Sequence, residues 1–405
     1  MPPVQEFHKI RRLPPYVFEE VNRLKAAARA NGADIIDLGM GNPDLPTPQA
    51  ICDKLTETVG KPRTHRYSAS KGIPGLRRAQ AAYYERRFGV KLDPETEVVA
   101  TLGSKEGFAN MAQAITAPGD VVLTPNPSYP IHAFGFLMAG GSIRSMPAEP
   151  GPELFAALER AVVHSVPKPI AMVLCYPSNP GAHTAELDFF KDVVAFAKKH
   201  EIFVLSDLAY SEIYFDGDPP PSILQVEGAK DIAVEFTSMS KTFSMPGWRM
   251  GFAVGNPMLC SALARVKSYL DYGAFTPIQA AACAALNGPQ DIVEKNRLLY
   301  HKRRDVLVES FGRAGWDIPA ARASMFCWAP LPPALKDMGS LEFSKQLLTH
   351  AKVAVAPGVG YGEDGEGYVR IAMVENEQRL RQAARNIKQY LKSMGVNTPS
   401  SKGAA

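Results

Sequence analysis

The sequence predicts an α/β fold with a mainly parallel sheet in a large domain and a smaller α+β domain built from both chain ends. The length of 405 residues is too great for a single small core. Between about residues 97 and 254, short apolar strands alternate with helices, which is typical of a parallel sheet covered on both faces. After Pro257 the pattern changes to long helices and then to short strands.

The first 95 residues predict an arm, a helix and a short strand before a helical region. The helix spans about 17–30 and is closed by Asn31-Gly32. The strand at 35–38 ends in a turn with Gly39 and Gly41, and two glycines this close let a backbone approach a ligand. Residues 50–95 are predicted to be helical, with a break at 66–75.

The central region predicts the sheet itself. Its strands are expected at 98–101, 121–124, 142–146, 170–174, 202–206, 233–237 and 250–254. The intervening helices are expected to end near 115 and to cover 131–138, 152–164 and 186–200.

The last third predicts the smaller domain. Helices are expected at 258–272, 278–287, 290–314 and 377–393, with strands near 325–329, 353–356 and 367–373. The predicted division is 1–48 for the arm and part of the small domain, 49–288 for the large domain and 289–395 for the small C-terminal domain. The small polar tail, 396–405, is expected to be disordered.

Composition argues against several classes of function. The 45 basic and 41 acidic residues give a net charge of +4, which does not predict a nucleic-acid partner. No apolar run reaches the roughly 18–20 residues that cross a membrane. The start lacks an apolar signal core, so a cytoplasmic location is expected. The five scattered cysteines fit reduced thiols, and no metal site is predicted.

One stretch, residues 237–252, concentrates groups that could bind an aldehyde and a phosphate. Lys241 lies in a turn with Ser238 and Ser240, and Arg249 follows eight residues later. A lysine that attacks an aldehyde needs a sheltered site that lowers its pKa. A phosphate needs hydroxyls and a fixed guanidinium. The alternative is an ordinary surface lysine.

Other polar residues follow the predicted strands, where parallel sheets bind their ligands. Gly103 and Ser104 follow one strand, Asn179 follows another, and Asp207 and Tyr210 follow a third. Each also has a plainer interpretation, because Gly103-Ser104 could be a helix cap, Asn179-Pro180 a turn and Asp207 a cap. Their shared position at one sheet edge favours a site.

The stretch 237–252 resembles the cofactor-lysine segment of pyridoxal-phosphate aminotransferases of fold type I, class I/II, and the resemblance spans roughly residues 10–393. It implies that Lys241 holds pyridoxal 5′-phosphate as a Schiff base and then moves the substrate proton. Ser238, Ser240 and Arg249 would hold the phosphate. Asp207 would pair with the pyridine nitrogen.

The same resemblance assigns the remaining cofactor residues. Tyr210 and Asn179 would bind the phenolate oxygen of the ring. At the helix start, Gly103, Ser104 and Lys105 would bind the phosphate. Tyr129 would stack on the ring, unless it is a core tyrosine. Tyr67 matches a tyrosine that reaches the phosphate of a neighbouring subunit, which implies a homodimer with shared active sites.

The resemblance also names substrate-binding residues. Arg370 is a lone arginine inside an apolar strand, so it either meets an internal acid or binds the α-carboxylate in bidentate fashion. Gly41, Asn179 and Tyr16 would approach the substrate as well. The turn after Asn179 departs from the family pattern, since Gly181-Ala182 stand where Thr-Gly is usual.

Several stretches, among them 40–44, 125–130 and 267–273, are similar to bacterial alanine (glutamate–pyruvate) aminotransferases. The expected reaction is therefore alanine plus 2-oxoglutarate to pyruvate plus glutamate by a ping-pong mechanism. The alternatives are transamination of LL-diaminopimelate, methionine, aspartate or aromatic amino acids. An alternative of another reaction class is a lyase that eliminates a C–S or other bond, because such enzymes use the same lysine. A regulatory cofactor-binding protein is disfavoured, because no DNA-binding domain is predicted.

Overall fold

A computed structural model describes residues 7–11, 13–14 and 16–396. The tail that was predicted to be disordered lies outside the described residues from 397 onward. The strands are β1 (Ile36–Asp37), β2 (Val98–Thr101), β3 (Val121–Asn126), β4 (Ser142–Pro147), β5 (Pro169–Cys175), β6 (Phe203–Asp207), β7 (Ala233–Ser238), β8 (Gly251–Gly255), β9 (Phe326–Pro330), β10 (Val353–Ala354), β11 (Ala356–Pro357) and β12 (Tyr368–Ala372).

The helices alternate with these strands in the first two thirds of the chain and dominate afterwards. They are α1 (His8–Arg11), α2 (Val17–Ala30), α3 (Gln49–Val59), α4 (Pro74–Phe88), α5 (Ser104–Ile115), α6 (Ile131–Ala139), α7 (Pro152–His164), α8 (Leu187–His200), α9 (Met239–Thr242), α10 (Pro257–Leu270), α11 (Thr276–Asn287), α12 (Asp291–Arg313), α13 (Ser340–Gln346) and α14 (Glu377–Ser393). Within the described ranges, no helix has both the length and the apolar composition needed to cross a bilayer.

A seven-stranded sheet forms the centre of the molecule, in the order β2-β8-β7-β6-β5-β3-β4. Strands β3 to β7 pair in parallel, whereas β8 is antiparallel to both of its neighbours. Because β8 runs the opposite way, its first residues lie at the edge where the other strands end. The prediction of a mainly parallel sheet is confirmed.

The sheet is buried on both faces, as its uniformly apolar strands require. Leu123 and Leu174 point into one core with Phe190, while their neighbours Val122 and Val173 point into the other. This period of two follows from the alternation of side chains along a strand. Burial of this kind stabilises the fold by roughly 25 cal/mol per Å² of apolar surface removed from water.

A smaller α+β part packs beside the carboxyl edge of this sheet. It contains the antiparallel sheet β11-β12-β9, and β1 pairs in parallel with β10. Its core includes Trp316, Phe343 and the apolar face of α14, from which Leu380 and Ile387 are fully buried. Since β1 comes from the beginning of the chain, this part is built from both chain ends, as predicted.

Two sequence expectations differ from the structure. The helical region predicted for 50–95 ends at Phe88, because Gly89 adopts a left-handed conformation with φ of 68°. The single strand predicted at 353–356 is two strands, β10 and β11, which belong to different sheets. The division of the chain at residues 48, 288 and 395 stays a prediction.

Candidate active site

A cavity of about 270 Å³ lies between the carboxyl edge of the large sheet and the smaller α+β part. Most of the residues predicted for the site line this cavity. They are Tyr16, Gly41, Ser104, Lys105, Tyr129, Asn179, Asp207, Tyr210, Ser238, Ser240, Lys241, Arg249 and Arg370. The two that do not line it are Gly103 and Tyr67. Residues far apart in sequence thus meet at one place, while their individual roles stay predictions.

Lys241 lies on the one-turn helix α9, directly after β7. The hydroxyl of Ser238 caps this turn by accepting a hydrogen bond from the N–H of Ser240 at 3.2 Å. The Lys241 amine lies 5.6 Å from the centre of the Tyr210 ring. Burial lowers the pKa of Lys241 to about 8, with Asp207 opposing this shift and Arg249 and Arg370 adding to it. Roughly a tenth of this amine is therefore unprotonated at pH 7, far more than for an ordinary lysine, and this form can act as a nucleophile or base.

Asp207, the last residue of β6, is buried and faces a histidine that sequence reasoning missed. The carboxylate Oδ2 accepts a hydrogen bond from Nε2 of His132 at 2.9 Å, and Oδ1 accepts one from the N–H of Ala209 at 3.2 Å. His132 is fully buried in the first turn of α6. It stands three residues after Tyr129, and its N–H donates to the carbonyl of Tyr129 at 2.9 Å, so closeness in sequence to Tyr129 is the one signal for it. His132 fixes the direction in which Asp207 points.

His132, Asp207 and Cys175 carry ligand atoms within 4.8 Å of one another. A metal site would need the thiolate form of Cys175. Burial, together with the negative charge of Asp207, raises the pKa of the Cys175 thiol well above its usual range. This protonated thiol does not favour a metal, and the predicted lack of a metal site stays a prediction.

The start of α5 provides donors for an anion. Gly103, the residue before α5, has no side chain to cap the helix, so its first N–H groups are open to a ligand. A Cβ at Gly103 would lie 2.1 Å from the guanidinium of Arg249, so only glycine lets Arg249 lie against this turn. Arg249 donates hydrogen bonds to the carbonyls of Pro246, at 2.7 Å, and Leu102, at 3.3 Å.

Hydroxyls complete this donor set. Ser104 lies in the first turn of α5, Ser238 is the residue before α9 and Ser240 lies within α9, and all three line the cavity. Lys105 is exposed, with its amine 5.7 Å from the centre of the Tyr129 ring. Helix N–H groups, hydroxyls and a guanidinium are the groups that bind a phosphate, so the residues present fit the phosphate of the expected cofactor.

Arg370 projects from β12 into the opposite side of the cavity. It donates to Oδ1 of Asn179 at 2.8 Å and to the carbonyl of Gly39 at 3.0 Å. Its guanidinium lies 3.9 Å from the centre of the Phe326 ring. These partners are an amide, a carbonyl and a ring, and no ion pair forms between Arg370 and an acid in the described part of the chain. The charge is therefore available to a carboxylate from outside.

Gly41 lets the backbone come close to this arginine. A Cβ at this position would lie 2.4 Å from the Phe326 ring and 3.7 Å from a terminal nitrogen of Arg370. Phe326, Tyr361 and the ion pair between Lys25 and Asp37, at 2.8 Å, also line the cavity and were missed by sequence reasoning. They carry no motif, because α2, β9 and the turn before Tyr361 are brought together only by the tertiary fold.

The turn that carries Asn179 has its own internal support. The N–H of His183 donates to Oγ of Ser178 at 2.8 Å, and the N–H of Ser178 donates to the carbonyl of His183 at 2.9 Å. A Cβ at Gly181 would lie 2.5 Å from the His183 ring. His183 thus occupies space beside Gly181, and the departure from the family pattern at 181–182 leaves Asn179 bonded to Arg370.

Tyr67 lies outside the cavity on the surface. Its side chain is 87% exposed and its ring centre lies 4.8 Å from that of Tyr272. Tyr269, Tyr272 and Phe275 are exposed as well, at 88%, 61% and 45%. The predicted reach of Tyr67 to a neighbouring subunit stays a prediction.

Comparison with known proteins gives the family context. The sequence profile described as "Aminotransferase class I and II" matches residues 33–387. AatC of Rhizobium meliloti (strain 1021), named as an aminotransferase with no stated substrate, is 73% identical over 390 residues, which cover 96% of each chain. The "Glutamate-pyruvate aminotransferase AlaC" of Escherichia coli (strain K12) is 52% identical over 400 residues, covering 99% of this chain and 97% of that protein.

More distant relatives carry other names. The "LL-diaminopimelate aminotransferase" of Moorella thermoacetica is 42% identical over 388 residues, covering 96% of this chain and 99% of that protein. Among solved structures, substrate-bound BacF of Bacillus subtilis aligns with a TM-score of 0.88 at 36% identity, covering 95% of this chain and 98% of that one. A double mutant of aspartate aminotransferase from Thermus thermophilus aligns with a TM-score of 0.88 at 26% identity, covering 96% and 100%.

Proposed function

Since the chain belongs to the class I and II aminotransferases, which depend on pyridoxal 5′-phosphate, we propose that it transfers the amino group of alanine to 2-oxoglutarate. The products are pyruvate and glutamate, formed in two half-reactions of a ping-pong cycle. The observation that carries the chemistry is the convergence of Lys241, Asp207 and Arg370 on one cavity. The choice of alanine is supported by the 52% identity to a glutamate–pyruvate aminotransferase over almost the whole chain.

Pyridoxal phosphate supplies an aldehyde that accepts an amino group and a ring that withdraws electrons from the bonds at the substrate α-carbon. Lys241 would hold the aldehyde of the bound cofactor, and its free amine would move the proton at the substrate α-carbon. Its lowered pKa suits this work, because a general base is most effective when its pKa lies near the working pH.

The other residues of the site are proposed to bind and orient the cofactor and the substrate. Asp207, held in place by its hydrogen bond with His132, would keep a positive charge on the ring nitrogen. Tyr210 and Asn179 would donate hydrogen bonds to the ring oxygen, and Tyr129 would pack on the ring. The start of α5, with Ser238, Ser240 and Arg249, would hold the phosphate. Arg370 binds the substrate α-carboxylate with both terminal nitrogens, and the backbone at Gly41 lies against that carboxylate.

Aromatic residues form part of the cavity lining. Tyr16, Phe18 and Tyr361 line it with aromatic surface, and Phe18 lies 5.0 Å from Tyr361 between ring centres. No arginine lies in residues 272–275, where family members specific for dicarboxylates carry one. This weakens an aspartate-specific function.

We also propose that the working unit is a homodimer. An exposed aromatic surface, made of Tyr67, Tyr269, Tyr272 and Phe275, supports this proposal, and the Tyr67 and Tyr272 rings in it lie 4.8 Å apart. A second copy of the chain would cover it, and the Tyr67 of each copy would then approach the phosphate of the other.

LL-diaminopimelate transamination is the second candidate, because a relative with that name is 42% identical over 96% of this chain. The test is a panel of amino donors, each assayed against pyruvate and 2-oxoglutarate and scored by kcat/KM. Alanine with 2-oxoglutarate should give the highest value. A higher value for LL-diaminopimelate would replace the proposed substrate, and release of ammonia without an added oxo acid would indicate a lyase instead.

A further inference from the structure

Lys267 is a fully buried lysine that the mechanism above does not use. Its side chain is 0% exposed, and its amine donates to Oε1 of Glu106 and to Oδ2 of Asp271, both at 2.9 Å. A buried charge is costly unless it is paired and hydrogen-bonded, so both acids are needed to keep this ammonium in the core. Lys267, Asp271 and Gly273 all belong to the stretch 267–273, which is similar to bacterial alanine aminotransferases and for which no chemical role was predicted.

On one side the ammonium reaches the start of α5. Glu106 lies in the first turn of that helix, and its Oε2 accepts a hydrogen bond from the N–H of Leu102 at 2.8 Å. The carbonyl of Leu102 in turn accepts from Arg249 at 3.3 Å. A path of direct contacts therefore joins Lys267 to the residues that surround the proposed phosphate site.

The positive charge of Lys267 also affects the electrostatics of the proposed phosphate site. Glu106 stands two residues after Ser104, and an unpaired carboxylate so close would oppose the binding of an anion. The pairing with Lys267 reduces this opposition without placing a cation in contact with the phosphate.

On the other side the ammonium holds a turn at the surface. Oδ1 of Asp271 accepts from the N–H of Gly273 at 2.6 Å, and the carbonyl of Asp271 accepts from the hydroxyl of Ser70. Gly273 has a φ of 79°, and a Cβ there would lie 2.2 Å from the carbonyl oxygen of Ala69. This turn carries Tyr272 beside Tyr67, so its geometry sets the position of that aromatic surface.

We infer that Lys267 is a positioning residue that couples the phosphate-binding start of α5 to the turn 271–273 and the Tyr67–Tyr272 surface. Binding of the phosphate then orders the surface, and disorder of the surface weakens binding of the phosphate, because the coupling is reciprocal. The inference rests on the phosphate placement in the proposed function and is independent of the amino acid that the enzyme prefers.

The test uses the full chain freed of cofactor, titrated with pyridoxal 5′-phosphate and, in competition, with inorganic phosphate. Lys267→Met should weaken both affinities by about threefold to thirtyfold, the range for a coupling residue that does not touch the ligand. Asp271→Asn should weaken them in the same direction, although Asp271 is separated from the phosphate site by Lys267. Asp231→Asn is the matched control, since it breaks an exposed pair with Lys198 and should leave both affinities unchanged.

The result that would overturn the inference is an Asp271→Asn variant that melts at a lower temperature but binds inorganic phosphate as the wild type does. If Lys267→Met does not fold, Asp271→Asn decides the question alone. Arg249→Met serves as a reference, because unchanged phosphate affinity in that variant would contradict the phosphate placement itself.

Hydrogen exchange separates coupling from a purely structural role. In the wild type, added pyridoxal phosphate should slow exchange in residues 271–275, and in Asp271→Asn this response should be lost. A wild-type segment that exchanges equally fast with and without the cofactor would contradict the coupling.

Discussion

At the residue scale, the acid–base state of Lys241 decides when the protein can take up its cofactor. Only the unprotonated amine attacks an aldehyde, and burial is the main cause that lowers the pKa of Lys241 to about 8. The protonated form therefore predominates below pH 8 and the free amine above it.

We expect the rate of covalent cofactor capture by the cofactor-free protein to rise with pH, with a midpoint at about 8. An unperturbed lysine would give a midpoint above 10. Stopped-flow absorbance at several pH values measures the rate, and borohydride reduction followed by peptide mapping should find the label on Lys241. A label on another lysine would contradict the assignment, and Lys241→Ala, which should capture none, is the control.

Arg370 gives a second prediction at this scale. Arg370→Ala should raise KM for both the amino donor and the oxo acid by about 10- to 150-fold, since charged hydrogen bonds contribute about 1.5–3 kcal/mol. The absorbance spectrum of the bound cofactor should stay nearly unchanged. Arg370→Lys should restore little, because an ammonium cannot bind a carboxylate in bidentate fashion.

The same variant has an electrostatic consequence. The positive charge of Arg370 helps to lower the pKa of Lys241, so its removal should move the capture midpoint above about 8. Loss of the cofactor spectrum in Arg370→Ala would instead indicate that Arg370 supports the cofactor or the fold.

At the element scale, the turn 178–183 shows how a short segment positions a binding residue. Gly181 and the His183 ring share one space, and the turn presents Asn179 to Arg370. Gly181 has no left-handed φ, so space rather than backbone conformation limits what residue fits there.

We expect Gly181→Thr to destabilise the protein by about 1–3 kcal/mol and to raise KM, because the new side chain collides with His183 and displaces Asn179. The double variant Gly181→Thr with His183→Gly should recover much of both losses. Thermal denaturation and steady-state kinetics measure the two effects. Equal KM values for Gly181→Thr and the wild type would show that this turn does not position Asn179.

The helices and strands also show which features of the fold can be predicted from sequence patterns and which cannot. The alternation of apolar and polar residues predicted α7 and α14 to the residue, because amphipathic helices have a clear period and clear ends. It did not separate β10 from β11, since an apolar run says nothing about which sheet each residue joins. His132 and Phe326 escaped prediction for a related reason, because their place in the site depends on distant elements.

At the scale of the whole molecule, the proposed dimer makes the aromatic surface a functional part of the site. We expect the protein to elute as a dimer, and Tyr272→Asp to shift it towards monomer, because a buried charge opposes association. The monomer should also release its cofactor more readily, since Tyr67 would no longer reach the partner's phosphate. Light scattering and the cofactor content after dialysis measure the two outcomes.

A matched control is Val166→Asp, a substitution at a 97% exposed apolar residue in the connection between α7 and β5. It should leave the dimer intact. Retention of the dimer by Tyr272→Asp would place the interface elsewhere on the molecule.

The pairing of β1 with β10 has a consequence for synthesis on the ribosome. Ile36 pairs with Val353, which is 317 residues later in the chain. At 5–20 residues per second, synthesis of this intervening segment takes about 16–63 s, and the pair cannot form before then. The seven strands of the central sheet, together with Lys241 and Arg249, are complete by Gly255. A nascent chain therefore has the groups proposed to bind the cofactor well before Arg370 is made, and the substrate-binding side of the cavity is the last to be finished.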